Sequence, residues 1–300
     1  MTKSFVHLHA HTEYSMLDGA AKIVDYLKKV KELNQPAAAI TDHGNLYGAM
    51  EFVQKANDLG IKPIIGYEAY ITPGSRFDRP DRENNKRYHL TLLAENNIGY
   101  QNLVELVSKA YTEGYYYKPR IDYELLYQHH DGLIALSGCL GGELAQHLAP
   151  DGSVEEGNTS NERSFEKALD IAKKYQSIFG KENYFIEIHN HGIKQQLDIL
   201  DDLVEIAELI DAPLVAANDS HYVEENGAEA HDALLCVQTN RTLDDESRFR
   251  FDGSGYYVKS AEEMRKLFPE DKYPGACDNT LAIANRVNYE FNFDNSYLPD

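Results

Sequence analysis

Residues 5–10, FVHLHA, alternate apolar and polar side chains, the period of a half-buried strand. Successive strand side chains face opposite sides, so His7, His9 and His11 are expected on one side if the strand runs that far. From there the chain alternates between two periods. Residues 20–33 carry Ile23, Leu27 and Val30 at helical spacing, and residues 37–41 are a short apolar strand running into Thr41-Asp42-His43-Gly44. The pattern predicts a helix over 46–59, stopped by Gly60. A strand follows over 62–71, with Glu68 inside an otherwise apolar run, then a polar loop over 73–87. Further strands are expected over 88–94, opening near His89, and over 132–137, running into Gly138-Cys139. Helices are expected over 98–112 and, shorter, over 122–130. Residues 150–162 are loop by composition, and 165–179 are helix. A strand over 184–190, a long amphipathic helix over 195–210 and a strand over 213–217 complete the series, ending at Asn218-Asp219-Ser220-His221.

Strands alternating with helices at this spacing imply an α/β fold with a parallel sheet, open or closed into a barrel. Most candidate ligands fall at or just after C-terminal strand ends, where such barrels build their sites. His89 and the first histidines are exceptions. After residue 221 the alternation stops. Residues 1–221 are therefore read as the barrel. Residues 222–300 are read as an appendage of two or three helices and a hairpin near 249–258.

Composition changes this picture in one respect. Lys and Arg number 29 against 49 Asp and Glu, a net charge of −20. Such a surface repels polyanions, so either the substrate is not nucleic acid or another domain delivers it. Three cysteines, Cys139, Cys236 and Cys277, do not make a disulfide framework. No apolar run approaches the ~20 residues a membrane span needs. The expectation is a soluble, cytoplasmic protein without membrane partners.

The chemistry concentrates in nine residues: His9, His11, Asp18, His43, Glu68, His89, Cys139, Asp219 and His221. All offer N, O or S donors of the kinds that bind transition metals. Taken singly, each has an ordinary role: Asp18 and Asp219 as turn or cap residues, Glu68 as a strand acid pairing with Lys62, Cys139 as buried filler. Gathered on one barrel rim, they would be costly without cations. Lys118 and Arg120, in Tyr115-Tyr116-Tyr117-Lys118-Pro119-Arg120, are candidates to grip phosphates while the tyrosines stack on bases. A solvated loop is the other reading. His189 and His191 also sit two apart, with orienting or surface roles expected; His129 and His130 look like a solvated helix end.

The phrases FVHLHAHTEYSMLDGA, AITDHGNLYGA, GIKPIIGYEAYI, YHLTLLAEN, ANDSHYV and ALLCVQTN resemble the PHP (polymerase and histidinol phosphatase) family. They are closest to the form that opens the alpha subunits of bacterial replicative DNA polymerase III. FDGSGYYVKSAEEM and PGACDNTLAIANRV extend the resemblance across essentially the whole chain. It implies a distorted seven-stranded βα barrel with a trinuclear metal centre, in a fragment of a longer polymerase. By resemblance, His9, His11, Glu68 and Asp219 hold one metal. Glu68 bridges to a second with His89 and Cys139, and Asp18, His43 and His221 hold the third. His7 is then an extra, and His189 and His191 match no ligand position. Three divalent ions are implied, with zinc favoured by the Cys139 thiolate and manganese or iron as alternatives.

All nine positions are filled, whereas many polymerase relatives have lost several, which argues for retained hydrolysis. The implied reaction is 3′–5′ exonucleolytic proofreading of a DNA primer 3′ end delivered by the polymerase domains, within a replisome. His9, His11, Glu68 and Asp219 would be its catalytic ligands, and divalent ions would lower the pKa of a bound water from ~15.7 toward ~7. Two further readings stand beside it. One is a catalytically silent metal-stabilised scaffold; the other is a stand-alone phosphomonoesterase acting on something like histidinol phosphate.

Overall fold

A computed structural model describes residues 3–81, 84–150, 162–253 and 255–291. Among the described residues there are seven strands: β1 (Ala37–Ile40), β2 (Lys62–Ile71), β3 (Tyr88–Ala94), β4 (Arg120–Ile121), β5 (Leu133–Leu136), β6 (Tyr184–Ile188) and β7 (Leu214–Ala216). The sheet order is β1-β2-β3-β5-β6-β7, with the two-residue β4 on β2. Covering helices are α1 (Ile23–Glu32), α2 (Ala49–Leu59), α3 (Asn97–Thr112), α4 (Tyr123–Gln128), α5 (Glu143–Leu148), α6 (Phe165–Phe179) and α7 (Lys194–Ile210). Together they form a distorted seven-stranded βα barrel. Among the described residues no helix is long and apolar enough to cross a membrane.

The helices end where the sequence supplies a stop. Gly60 takes the left-handed conformation, φ +69°, that closes α2. Asn96, Asp122 and Ser164 cap α3, α4 and α6 with side-chain oxygens on backbone N–H groups.

The sheet is mixed rather than parallel. β3 runs antiparallel to both β2 and β5; the other pairings are parallel. Among the described residues no crossover helix joins β2 to β3, and the two pair as antiparallel neighbours. Residues 5–10 make no continuous ladder. They lie buried between β1 and the segment after β7, through Ala39 N to His7 O at 3.2 Å and His11 N to Ser220 O at 2.8 Å.

Register carries one strand face from apolar to polar. On one face of the sheet, Ile64, Leu93, Ile134, Leu136, Phe185 and Val215 are buried together with Ile283, Ala284 and Val287. The same face continues through Glu68, paired with Thr91, to His89, and along β6 to Glu187. One end of the barrel is thus filled by hydrocarbon and the other by titratable groups.

Beyond residue 221 lie α8 (Ala228–Thr239), α9 (Ala261–Leu267) and α10 (Asp278–Arg286). The side chains of α10 complete the apolar end, and Tyr289 Oη accepts from Ile65 N at 2.6 Å. The hairpin expected near 249–258 is not formed among the described residues. Tyr257 instead bridges Tyr222 in parallel, and His221 N donates to Tyr256 O at 2.8 Å. The expected loop over 150–162 lies almost wholly outside the described residues. Neither β4 nor α5 was expected; both are too short to show a period.

Candidate metal centre

All nine residues meet at the polar end of the barrel. Glu68 stands in the middle. Its Oε1 lies 3.0 Å from His89 Nδ1, 3.3 Å from His9 Nε2 and 3.6 Å from Cys139 Sγ. Its Oε2 lies 2.6 Å from His43 Nδ1 and 3.7 Å from His11 Nε2. Asp219 Oδ1 is 3.1 Å from His11 Nε2 and 3.5 Å from His9 Nε2. Asp18 Oδ2 joins His43 Nε2 at 2.7 Å and His221 Nε2 at 3.2 Å. The rings of His43 and His221 flank His11 at 4.1 and 4.3 Å between centroids.

His89 no longer stands apart. It opens its strand where the others close theirs, and because β3 is antiparallel its N-terminal end lies on the same rim. Asp219 takes φ +45°, left-handed for a residue with a Cβ; such local strain is retained where the surrounding structure overdetermines it.

Five of the cluster's donor atoms are buried and lack a hydrogen-bond partner among the described residues: His9 Nε2, His11 Nε2, His43 Nδ1, Glu68 Oε2 and Asp219 Oδ1. His43 Nδ1 and Glu68 Oε2 are close, yet not aligned as donor and acceptor. Buried polar atoms are normally paired. Donors that face one another unpaired fit divalent cations held between them, and residues of this set lie close enough to share an ion in several groupings.

The opposite ring nitrogens are held by partners that the sequence did not single out. His9 Nδ1 donates to Glu187 Oε1 at 2.6 Å, and Glu187 Oε2 accepts from Gly138 N at 3.0 Å. His11 Nδ1 donates to Ser15 Oγ at 2.9 Å, and Ser15 Oγ donates to Asp42 Oδ1 at 2.7 Å. Each contact holds a proton on Nδ1, so a cation in the site would meet the Nε2 lone pair, the usual arrangement of a metal-bound histidine. Without one, burial opposes the His9 charge, but Glu187, Asp219 and Glu68 outweigh it and raise the ring well above its ordinary value. Gly138 sits at φ +91°, where a Cβ would come within 2.8 Å of His89 O. The one signal for Glu187 in the sequence is an acid inside the apolar run Tyr184–Ile188.

Electrostatics follow this crowding. Burial opposes the charge on His43, but Glu68 and Asp18 outweigh it and lift the ring to about 9. Burial, reinforced by His43 and His221, drops His11 to about 3. Burial opposes ionisation of Glu68, Asp219 and Asp18 as well, yet the surrounding imidazoles hold all three well below the usual carboxylate range. Burial, then the charge of Glu68, pushes the Cys139 thiol up to about 11; a cation against the sulfur would reverse that.

The remaining candidates separate. Lys118 lines the cleft above the centre, its Nζ 3.2 Å from Tyr70 Oη. Arg120, expected beside it as a phosphate grip, is corrected: it is fully buried. Its guanidinium donates to the carbonyls of Gly114, Arg76 and Asp78 and to Asn85 Oδ1, at 2.8–3.1 Å. Four of its five N–H donors are taken, and burial keeps the fifth from any phosphate at the surface. His7 is buried with Nε2 on Lys259 O at 2.8 Å. His189 Nε2 reaches Glu187 Oε1 at 2.9 Å, and His191 stacks on Tyr256 at 3.9 Å.

A family model described as "PHP domain" matches residues 7–191. "DNA polymerase III subunit alpha" of Mycobacterium tuberculosis is 48% identical over 298 residues, covering 95% of this chain and 24% of that protein. The protein of the same description from Thermus aquaticus is 49% identical over 289 residues, covering 93% of this chain and 22% of its own length. The chain thus spans about a quarter of the length of the curated relatives it matches. A solved two-domain protein from Bacteroides vulgatus, containing a "predicted PHP-like metal-dependent phosphoesterase", is 14% identical. It covers 73% of this chain and 52% of its own, with a TM-score of 0.42.

Proposed function

Because the chain belongs to the PHP domain family, we propose that its nine clustered donors hold up to three divalent ions, and that the site removes nucleotides from a DNA 3′ end. One observation carries the reading: five buried donor atoms, each without a hydrogen-bond partner, converge on the polar end of the barrel. Bound there, divalent ions would supply Lewis acidity and bring the pKa of a coordinated water toward neutrality. His9, His11, Glu68 and Asp219 would hold one ion, and Glu68 would share a second with His89 and Cys139. Asp18, His43 and His221 would hold the third, and the cysteine favours zinc over harder ions.

The chain's own residues do the rest. Glu187 and Ser15 fix the protons of His9 and His11 away from the site. Glu68 and Asp219, ionised and nearly dry, concentrate negative charge that only cations can balance. Lys118, at the cleft, offers a charge to a phosphate oxygen. The proposed substrate is a primer 3′ end, supplied by the rest of a longer polymerase chain in a replisome; the relatives' description as polymerase subunits supports this.

Asp219→Asn tests it. The substitution keeps the shape and removes one ligand charge, so metal-dependent digestion of a mismatched primer should fall by about 100-fold or more, with the circular dichroism spectrum unchanged. If the wild-type chain, fully metallated and joined to its polymerase regions, leaves the mismatched primer intact, the nine residues are structural ligands and the scaffold reading replaces this one.

A further inference from the structure

The cleft above the centre encloses about 850 Å³, far more than a single phosphate group needs. Two groups of its lining residues share one composition. One is Tyr70, Tyr117 and Lys118. Lys118 Nζ lies 5.0 Å over the Tyr70 ring. Tyr117 is 62% exposed and holds φ +63°, uncommon for a bulky side chain. The other, a second wall, is Arg248-Phe249-Arg250-Phe251, from the segment after α8.

That second wall is anchored at both ends. Arg248 is buried and forms a two-pronged pair with Asp232 of α8, both contacts at 2.5 Å. Phe251 wedges edge-on against the candidate ligand His221 at 4.7 Å, and against His231 at 5.0 Å and Tyr256 at 4.7 Å. Between the anchors, Phe249 is 40% exposed and Arg250 is exposed. The Phe249 ring meets Phe251 at 5.7 Å, so the aromatic surface continues from the mouth to His221. Two exposed side chains held on a fixed strip beside a dry site are unlike a solvated loop. In a chain of net charge −20, Lys118 and Arg250 place cations at an opening that Asp18, Glu68, Asp219 and Asp252 also line, so a polyanion is held there best once divalent ions offset those carboxylates.

We propose that residues 248–251 form a stacking wall for single-stranded nucleic acid: Phe249 and Phe251 take unpaired bases while Arg250 takes the adjoining phosphate, feeding a 3′ end toward the His221 side of the centre. This rests on the phosphodiester reading above and narrows it. A duplex hides its base faces, and a small phosphomonoester has no use for aromatic walls. Stacking platforms combined with cations are how unpaired strands are held without sequence preference.

The test is binding of fluorescein-labelled oligo(dT) of about eight nucleotides, read by anisotropy on the whole chain. A 3′-terminal phosphorothioate keeps hydrolysis out of the measurement. Phe249→Ala should weaken binding about 5- to 100-fold. An abasic oligomer of equal charge should bind the wild type correspondingly weakly, with no further loss in Phe249→Ala. Arg250→Ala should reduce the slope of log affinity against log salt by about 0.7, and Arg250→Lys should restore it. Both side chains lie at the surface, so both variants should stay folded, checked by circular dichroism. Unchanged affinity in Phe249→Ala together with an unchanged slope in Arg250→Ala overturns the proposal. So does equal affinity of the wild type for abasic and base-bearing strands, or a preference for duplex. With an unprotected oligomer and divalent metal as a second arm, binding without cleavage would sink the nuclease reading alone; cleavage with unaltered binding in the variants would sink this one alone.

Discussion

Glu187→Gln is the sharpest probe of how the centre is held, because Glu187 is not itself a proposed ligand yet holds one, His9, by its far ring nitrogen. The carboxylate is fully buried and takes His9 Nδ1 at 2.6 Å, His189 Nε2 at 2.9 Å, Gly138 N at 3.0 Å and Thr91 Oγ1 at 3.4 Å. Burial opposes its charge, but His9 and His189 outweigh it and bring the group down to about 2. A depressed carboxyl stabilises the fold above its unfolded value and loses that contribution as pH falls through its folded value. From 4.5 to about 2, the contribution is on the order of 3 kcal/mol at neutral pH. An amide keeps one acceptor oxygen but turns an NH₂ group toward another donor, so at least one of these contacts is lost. Losing a buried charge-assisted hydrogen bond costs about 1.5–3 kcal/mol. Releasing His9 from its tautomer should weaken metal binding about 10- to 100-fold, or roughly 1.4–2.7 kcal/mol. The assay is competition with a chromogenic chelator at pH 7, beside thermal melts with and without metal. Affinity and melting temperature both within error of wild type would refute the claim that Glu187 orients His9. His189→Ala should cost less, since it leaves the His9 contact in place.

Elemental analysis of protein purified without chelator should find up to three divalent ions with at least one zinc. Stripping them should lower the melting temperature, since about 2.7 kcal/mol is at stake where free metal exceeds its dissociation constant 100-fold; an unmoved transition after complete removal would count against the centre. Metal uptake should also release protons. The His43 ring, raised to about 9, contributes stability below its unfolded value and loses it as pH rises through about 9, and it must be neutral to ligate. Proton release on loading, measured by calorimetry in buffers of different ionisation enthalpy, should therefore shrink as pH passes 9; none at pH 7.5 would contradict it. Away from the centre, burial raises the Glu143 carboxyl against the hydroxyls of Tyr123 and Tyr175. A raised carboxyl stabilises only in its protonated form, so Glu143→Gln should gain most over wild type at neutral pH. That advantage should fade as the pH drops through the folded value; a constant difference between pH 7 and 4.5 would exclude it.

The sequence by itself determined the elements and the donors. Strands β2 and β3 and helix α6 stand within the bounds their periodicity predicts, because each is long enough to show a period. The nine candidate ligands were legible as residue types that are costly to bury alone. What the sequence could not show was direction. Reading βα alternation as a parallel sheet left His89 at the wrong end of its strand, and only the antiparallel pairing of β3 brings it to Glu68. Arg120 and Lys118 look equivalent in a line of text. Tertiary packing buries one under four acceptors and leaves the other at the cleft. Glu187 read as an unremarked acid in a core strand, and its role depends on His9, 178 residues away in the chain. Local pattern is set by short-range sterics and solvent period, which the order of residues records. Strand direction, burial of a particular cation and the partner of a ring nitrogen are set by which distant surfaces meet, and that is decided only when the barrel closes.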